Sequence, residues 1–576
     1  MKKGTYILGI SAFYSDSAAA LVRDGEIIAA AQEERFTRKK HDGSFPERSV
    51  EYCLAEGGIT ISEVDIVAFH GKRLRHPAER YIRETLNYTG RIQFLRHHHS
   101  HAASAFYPSP FKEAAILTMD DTVGRVSTCF GSGDGEKMRI HSGIGSPHSL
   151  GLLYSAFTYY CGFNAGSDEY VLMGLAPCGE PEYVDVILDK LIHLRNDGMF
   201  RLNKRYFDGR GIHSLPNRRF DDLFGGPRRD PACGLEKKHL DLARSVQAVT
   251  EKALKNLVER LYRDTGSRNL CLSGESALNC VANGKVLLEG PFKRIWVQPA
   301  SSDAGGALGA ALLAYHGYLG GCRRINNEGD GQKGSFLGPS FREDEIEAFL
   351  EGKGIPHERL SRAELLKSVS DLIAGQKVVG WFQGRMEFGP RALGSRSILA
   401  DARFKDTQSI INDKIKFRES FRPFAPSIML EKADEYFDHK GESPYMLFAV
   451  PLKEDKKENV KAGARLKGME KLKIKRSVIP AVTHVDYSAR VQTVKRSDSP
   501  LFYDLLNRFY EDNGCPVIVN TSFNVKGEPI VCTPEDAYRC FMKTDMDCLV
   551  MGPFLVRKEQ GNTVYAKEGK RTCEYC

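Results

Sequence analysis

A chain of 576 residues exceeds what one hydrophobic core normally supports, so at least two domains are expected. Its 41% hydrophobic and 27% charged residues describe an ordinary globular protein. The 82 basic and 74 acidic residues, net +8, are interspersed, which argues against nucleic acid as a partner and leaves room for small anionic substrates. No apolar run is long enough to span a membrane. Met1-Lys2-Lys3 leads into a short strand rather than a secretory core, and the fourteen cysteines are scattered through apolar segments. A cytoplasmic protein with reduced thiols is the expectation. Cys573-Glu574-Tyr575-Cys576 has CxxC spacing in a polar tail with no second pair, so no metal is assigned there.

In chain order, Tyr6–Ser11, Ala18–Arg23 and Glu26–Gln32 read as a three-stranded meander with Asp24-Gly25 as its tight turn. The layout recurs: Ala114–Met119, Arg125–Phe130, a glycine-rich turn over Gly131–Gly135, then Lys137–Ser142. Each unit carries an aspartate in its first connection, Asp16 in one and Asp120-Asp121 in the other. Duplicated meanders with acidic turns are the plan of the actin, heat-shock ATPase and sugar-kinase superfamily, a ribonuclease-H-like α/β fold. Leu150–Cys161 reads as a helix, Glu169–Ala176 follows a turn, and residues 195–235 read as a polar surface insertion. Leu240–Thr265 has helical periodicity. Leu270–Ser273 and Arg294–Val297 are short strands, and Asp303 opens a small-residue helix to Tyr315. Gly320–Ser340 is rich in Gly and Asn and is the expected boundary, giving domains of 1–335 and 341–560 with a tail over 561–576. Beyond it, Val378–Gln383 is a strand, Gly384–Leu399 a loop bearing glycines and arginines, and Lys453–Arg476 a solvated insertion. Tyr503–Asn513, Pro516–Asn520, a helix from Pro534 and the strand Cys548–Met551 complete the second half.

His97-His98-His99-Ser100-His101 precedes the small-residue run Ala102-Ala103-Ser104-Ala105. On a helix, positions i and i+4 share a face, so His97 and His101 can aim at one point. Asp121 and Asp303 stand where a strand gives way to a turn or helix and would complete an N2O2 site suited to iron, manganese or zinc. HExxH, Walker A and EF-hand patterns are all missing from the sequence.

The second cluster is basic. Arg385 and Arg391 flank Gly389-Pro390, Lys416, Arg418 and Arg422 follow, and Arg490 stands in Ser488–Gln492. Asn520-Thr521-Ser522-Phe523-Asn524 adds hydroxyls and amides. Guanidiniums bind phosphate through paired hydrogen bonds, so the set suits a triphosphate and a second anion.

Six stretches make the chain resemble the carbamoyltransferase family of the nodulation and cephamycin type along nearly its whole length. They begin at His97, Glu169, Asp303, Phe388, Phe421 and Asn520, and include Phe388-Gly389-Pro390-Arg391-Ala392-Leu393-Gly394 and Phe421-Arg422-Pro423-Phe424-Ala425-Pro426. The resemblance implies a YrdC-like C-terminal domain that makes carbamoyl adenylate from ATP and carbamoyl phosphate. It also implies an N-terminal domain, similar to the tRNA threonylcarbamoyl transferases, that passes the carbamoyl group to a small-molecule hydroxyl in natural-product biosynthesis. By that likeness His97, His101, Asp121 and Asp303 hold Fe or another divalent metal, with Mg a further candidate. Gly274, Gly305, Gly306, Arg391, Lys416, Arg418, Arg422, Arg490, Asn520 and Ser522 bind the co-substrates, and Asp16, Ser15, Arg418 and Ser522 take part in catalysis. No nucleic acid or membrane partner is implied, and a homodimer is compatible.

Departures concentrate in the first half. Ser15 stands before Asp16 where the family has a histidine, and a serine is no base near neutral pH without help. Thr122, Arg125, Asp168, Glu275 and, in the second half, Tyr487 also differ from the family pattern. Carbamoylation of an amine or another ATP-dependent condensation is therefore one alternative, and a catalytically silent binding homologue another.

Overall fold

The computed structural model describes residues 4–71, 74–120, 125–208, 215–325 and 329–558. They form two compact units that divide between Lys333 and Gly334, with Arg38–Lys40 counted in the second.

The first unit contains two five-stranded sheets of one topology. In the first, β1 (Tyr6–Ser11) pairs antiparallel with β2 (Ala18–Arg23), which pairs antiparallel with β3 (Glu26–Gln32). On its other side β1 pairs parallel with β4 (Ile66–His70), and β4 with β5 (Arg91–Leu95). The second sheet repeats every direction with β6 (Glu113–Met119), β7 (Val126–Asp134), β8 (Lys137–Gly145), β9 (Asn269–Ser273) and β10 (Arg294–Val297), in the order β10-β9-β6-β7-β8. The duplication expected from the meanders is therefore present strand for strand.

Two helices made of small residues lie at the centre of this unit, α1 (His97–Phe106) and α3 (Asp303–Leu312), the long α2 (Lys237–Thr265) falling between them in sequence. Their composition follows from how closely backbones approach. A Cβ on Gly9 of β1 would come 2.0 Å from the Ala307 carbonyl oxygen, and one on Gly309 would come 1.8 Å from that of Ser100. No side chain larger than hydrogen fits at either point.

Four local expectations change, one of them in the second unit, where a buried strand begins at Arg396 inside the expected loop Gly384–Leu399. The turn over Gly131–Gly135 moves to Gly135-Glu136, because β7 runs on through Asp134. Gly133 then serves as a seat for the Phe106 ring, 2.4 Å from where its Cβ would stand. The insertion over 195–235 is not all surface: Phe220 and Phe224 are buried against Phe157 and Tyr160 of the helix Leu150–Tyr160. The helix opened by Asp303 keeps α geometry only to Leu312 and widens to π over Leu313–Tyr318.

The second unit is built on one eight-stranded mixed sheet of order β11-β18-β17-β12-β13-β16-β14-β15. These strands are β11 (Glu358–Arg359), β12 (Val379–Phe382), β13 (Arg396–Asp401), β14 (Ala425–Met429), β15 (Gln492–Val494), β16 (Val517–Ser522), β17 (Cys548–Met551) and β18 (Phe554–Arg557). Central strands β12, β13 and β14 are buried along their whole length. Among the described residues no helix is long and apolar enough to cross a membrane.

Candidate active site

In the first unit two strands end and two helices begin at one place. The strand β4 ends at His70, β6 is followed by Asp120, and α1 and α3 start at His97 and Asp303. His97 and His101, one helical turn apart, both face inward as their spacing predicts. Nε2 of His97 lies 2.5 Å from Oδ2 of Asp120, and Nε2 of His101 lies 3.1 Å from the same oxygen. Oδ1 of Asp303 is 3.2 Å from His70 Nε2, 3.6 Å from His101 Nε2 and 3.8 Å from His97 Nε2. Nitrogen and oxygen donors sharing one ion at about 2.1 Å stand about 3.0–3.4 Å apart, which the His101–Asp120 and His70–Asp303 edges already match.

The three Nε2 atoms of His70, His97 and His101 all face the carboxylates of Asp120 and Asp303. Burial would make His101 less basic, but Asp120 and Asp303 outweigh it and push the imidazole up to about 9. For His70, burial and the neighbouring His97 prevail and lower it to about 4. Both carboxyls are held below their ordinary range: burial opposes this, and the surrounding histidines overcome it. His98 belongs to the core instead, bonding Thr118 Oγ1 at 2.8 Å and the Val126 carbonyl at 2.9 Å.

His97, His101 and Asp303 are thus brought together as the sequence predicted. Asp121 lies outside the described residues, and among those described the carboxylate beside His97 and His101 is that of its neighbour Asp120. His70, absent from the sequence-based set, belongs to the group.

The glycines expected to receive a co-substrate are packing positions. Gly305 and Gly306 are buried, and a Cβ would meet the Ala300 carbonyl oxygen at 2.0 Å in one case and the His70 ring at 2.7 Å in the other. Gly274 has φ +91° with its Cβ position 2.1 Å from the Met119 carbonyl oxygen, so it lets β9 end beside β6. Ser15 is exposed, and the imidazole beside Asp16 comes from His41, whose Nδ1 lies 2.9 Å from Oδ1 of Asp16.

In the second unit Lys416 is 2% exposed. Its ammonium donates to the Ser522 carbonyl, to Ser522 Oγ at 3.2 Å, and to the carbonyl and Oδ1 of Asn524 at 3.0 and 2.8 Å. Lys416 therefore fixes the end of β16 rather than offering itself to a ligand. Burial, followed by the charges of Arg418 and Arg422, holds it well below the usual lysine range. Cations gathered at such mutual cost mark a place where an anion is welcome. Arg418 is aligned by the Asn412 side chain at 2.7 Å and lies over the Phe424 ring, while Arg422 is 3.6 Å from Glu419.

Asn520 is tied into the sheet through its amide N–H group, while its Oδ1 is buried without a hydrogen-bond partner among the described residues. It is fully buried, donating to Ser427 Oγ at 3.1 Å and Gln492 Oε1 at 2.9 Å, because β16 is flanked by β13 and β14 and its inward face closes the core. Ser522 stands at the strand's half-buried end and donates to Asn524 Oδ1 at 2.7 Å. Arg391 and Arg490 are half-buried on separate elements, the loop before β13 and the strand Ser488–Arg490. That loop is held by Glu387, which accepts from the backbone N–H groups of Leu393 and Ser395 at 2.7 and 2.8 Å.

The carbamoyltransferase N-terminus family matches residues 6–89 and 84–312, and the carbamoyltransferase C-terminus family matches residues 370–558. An uncharacterized protein of Synechocystis, sll1178, is 50% identical over 96% of this chain and 97% of its own length. Nodulation protein NolNO of Sinorhizobium fredii is 36% identical over 95% of this chain and 79% of its own. The 3'-hydroxymethylcephem-O-carbamoyltransferase of Amycolatopsis lactamdurans is 27% identical over 95% of this chain and 98% of its own. With both halves matched in order and relatives aligned almost end to end, the chain belongs to the carbamoyltransferase family and is a transferase.

Proposed function

We propose that the second unit activates a carbamoyl group with ATP and that the first unit transfers it to a hydroxyl of a small molecule. In the activation half, water hydrolyses carbamoyl phosphate to inorganic phosphate and carbamate, whose oxygen attacks the α-phosphorus of ATP. Pyrophosphate leaves, and carbamoyl adenylate remains. The residues suited to this are Arg418, Arg422 and Ser522, which Lys416 braces from behind, with Arg391 and Arg490 as further cationic contributors. Their guanidiniums would hold phosphate oxygens and offset the charge building on the leaving group.

In the transfer half, the acceptor oxygen attacks the carbamoyl carbon, the C–O bond to the phosphate breaks, and AMP departs. His70, His97, His101, Asp120 and Asp303 form the donor set that would hold a divalent metal, and imidazoles with carboxylates suit iron, manganese or zinc. Such an ion would supply Lewis acidity for the transfer. The acceptor-side reading draws on the cephem relative, which is named as an O-carbamoyltransferase.

The observation that carries the proposal is the gathering of Lys416, Arg418 and Arg422 around the end of β16. It is tested by incubating the protein with ATP, carbamoyl phosphate and hydroxylamine, a nucleophile that captures acyl adenylates without help. Pyrophosphate and hydroxyurea are expected together. Their absence in protein loaded with Fe²⁺, Mn²⁺ or Zn²⁺ and supplied with Mg²⁺ overturns the reading.

A further inference from the structure

Phe417 stands between two cations of the activation cluster, Lys416 and Arg418, and shares the surroundings of neither. Lys416 is buried, with its ammonium serving Ser522 and Asn524. Arg418 folds back over the Phe424 ring, 4.8 Å from its centroid. Phe417 is left 53% exposed, the highest figure for a large apolar side chain among the described residues.

A single apolar residue on a surface needs no explanation. The backbone of this one does. Phe417 has φ +51° and ψ +53°, in the left-handed region that glycine occupies without strain. The conformation is held from both sides: the Asn412 carbonyl accepts from the N–H groups of Phe417 and Arg418, and the Lys416 carbonyl accepts from that of Lys526. Phe13 and Tyr487 share the positive φ, but each has a partner. Phe13 packs against Phe45 and Phe69, and Tyr487 donates to the Glu458 carbonyl. Of the three, Phe417 alone is exposed.

Strained backbone persists where its surroundings over-determine it, and such places gather at ligand sites. Here the strain presents one flat apolar face beside guanidiniums suited to phosphate. Carbamoyl phosphate has no apolar surface to meet it. ATP does, because its purine stands one ribose away from the α-phosphate. Aromatic side chains hold bases by stacking on their π-face.

We propose that Phe417 is the platform on which the adenine of ATP stacks in the second unit, a reading that rests on the activation step proposed above. Arg418 and Arg422 then hold the phosphates while Phe417 holds the base, and the nucleoside is distinguished from free polyphosphate by the ring.

The test uses full-length protein with Mg²⁺ and reads hydroxyurea formed from ATP, carbamoyl phosphate and hydroxylamine. Phe417→Ala is expected to raise KM for ATP about 5–100-fold, the range of one base–aromatic stack, with KM for carbamoyl phosphate and inhibition by tripolyphosphate unchanged. Phe417→Trp should keep the wild-type KM. Phe417→Gly separates stacking from loop shape: it should not lower the thermal transition, yet should raise KM for ATP as Phe417→Ala does. An unchanged KM in Phe417→Ala overturns the proposal. So does a parallel loss of ATP and tripolyphosphate, which makes the residue a shaper of the anion site. Sedimentation showing that Phe417→Ala separates a dimer while KM stays unchanged assigns the ring to a contact between copies and overturns it too. If wild-type protein forms no hydroxyurea, the proposed function fails, and stacking is then read by fluorescence alone. The tryptophan introduced by Phe417→Trp is exposed, unlike the buried Trp296 and Trp381. ATP with Mg²⁺ should quench its emission and tripolyphosphate should not. Equal quenching by both, or by neither, overturns the proposal.

Discussion

Gly306 has no side chain because His70 occupies the space: a Cβ there would come within 2.7 Å of the imidazole ring. Replacing a glycine inside a helix by alanine ordinarily stabilises by about 1 kcal/mol. Here the methyl must push a buried ring at the edge of the candidate metal centre. Gly306→Ala is expected to destabilise by about 1–3 kcal/mol through overpacking and to displace His70. Calorimetry and metal content of the purified variant check this, and a variant that is more stable with full metal content removes His70 from the ligand set.

Metal binding should depend on pH in one direction. Without an ion, His101 has a pKa of about 9 beside Asp120 and Asp303, so it carries a proton at neutral pH, while His70, at about 4, does not. A metal needs the neutral ring, so binding expels the His101 proton. Since the metal-free form holds more protons than the bound form below about 9, affinity rises with pH by about tenfold per unit and levels off above it. Competition between the protein and a chelating dye for Zn²⁺ at pH 6.5, 7.5 and 8.5 measures the slope. A flat response contradicts the assignment, and His101→Gln should flatten it.

Lys416 and Arg422 should separate stability from activation. Lys416→Met removes the donor that serves Ser522 and Asn524 and leaves buried oxygens without their partner. A loss of about 2–4 kcal/mol is expected, seen as an earlier thermal transition. Arg422 is 11% exposed at its side chain and lies 3.6 Å from the Glu419 carboxylate. Arg422→Gln should reduce pyrophosphate formation at least tenfold, with a smaller shift of the thermal transition than Lys416→Met. If both variants unfold alike, Arg422 is structural.

These residues also show what the sequence could reveal. The meanders were legible because strand periodicity and the Asp24-Gly25 turn are local signals, and the second sheet repeats them. His97 and His101 were legible because a helix converts spacing into a shared face. His70 was not, since it ends an ordinary buried strand 27 positions before His97 and joins the cluster only through the parallel pairing of β4. Gly305 and Gly306 misled because close backbone approach and a ligand cradle look alike in sequence, and the structure fills both positions with protein.

The choice between Asp120 and Asp121 was within reach of strand alternation and is open to a direct test. Thr118 points from β6 toward α1, where its hydroxyl meets His98 at 2.8 Å. Two residues on, Asp120 keeps that side and meets His97 and His101. Asp120→Asn should therefore weaken metal binding beyond the roughly 10–100-fold typical of changes outside the ligand shell, whereas Asp121→Asn should stay within it. The same Zn²⁺ competition at pH 7.5 reads both variants. Should Asp121→Asn lose the metal while Asp120→Asn keeps it, the carboxylate at 2.5 Å from His97 is only a hydrogen-bond partner and the site must be redrawn around Asp121.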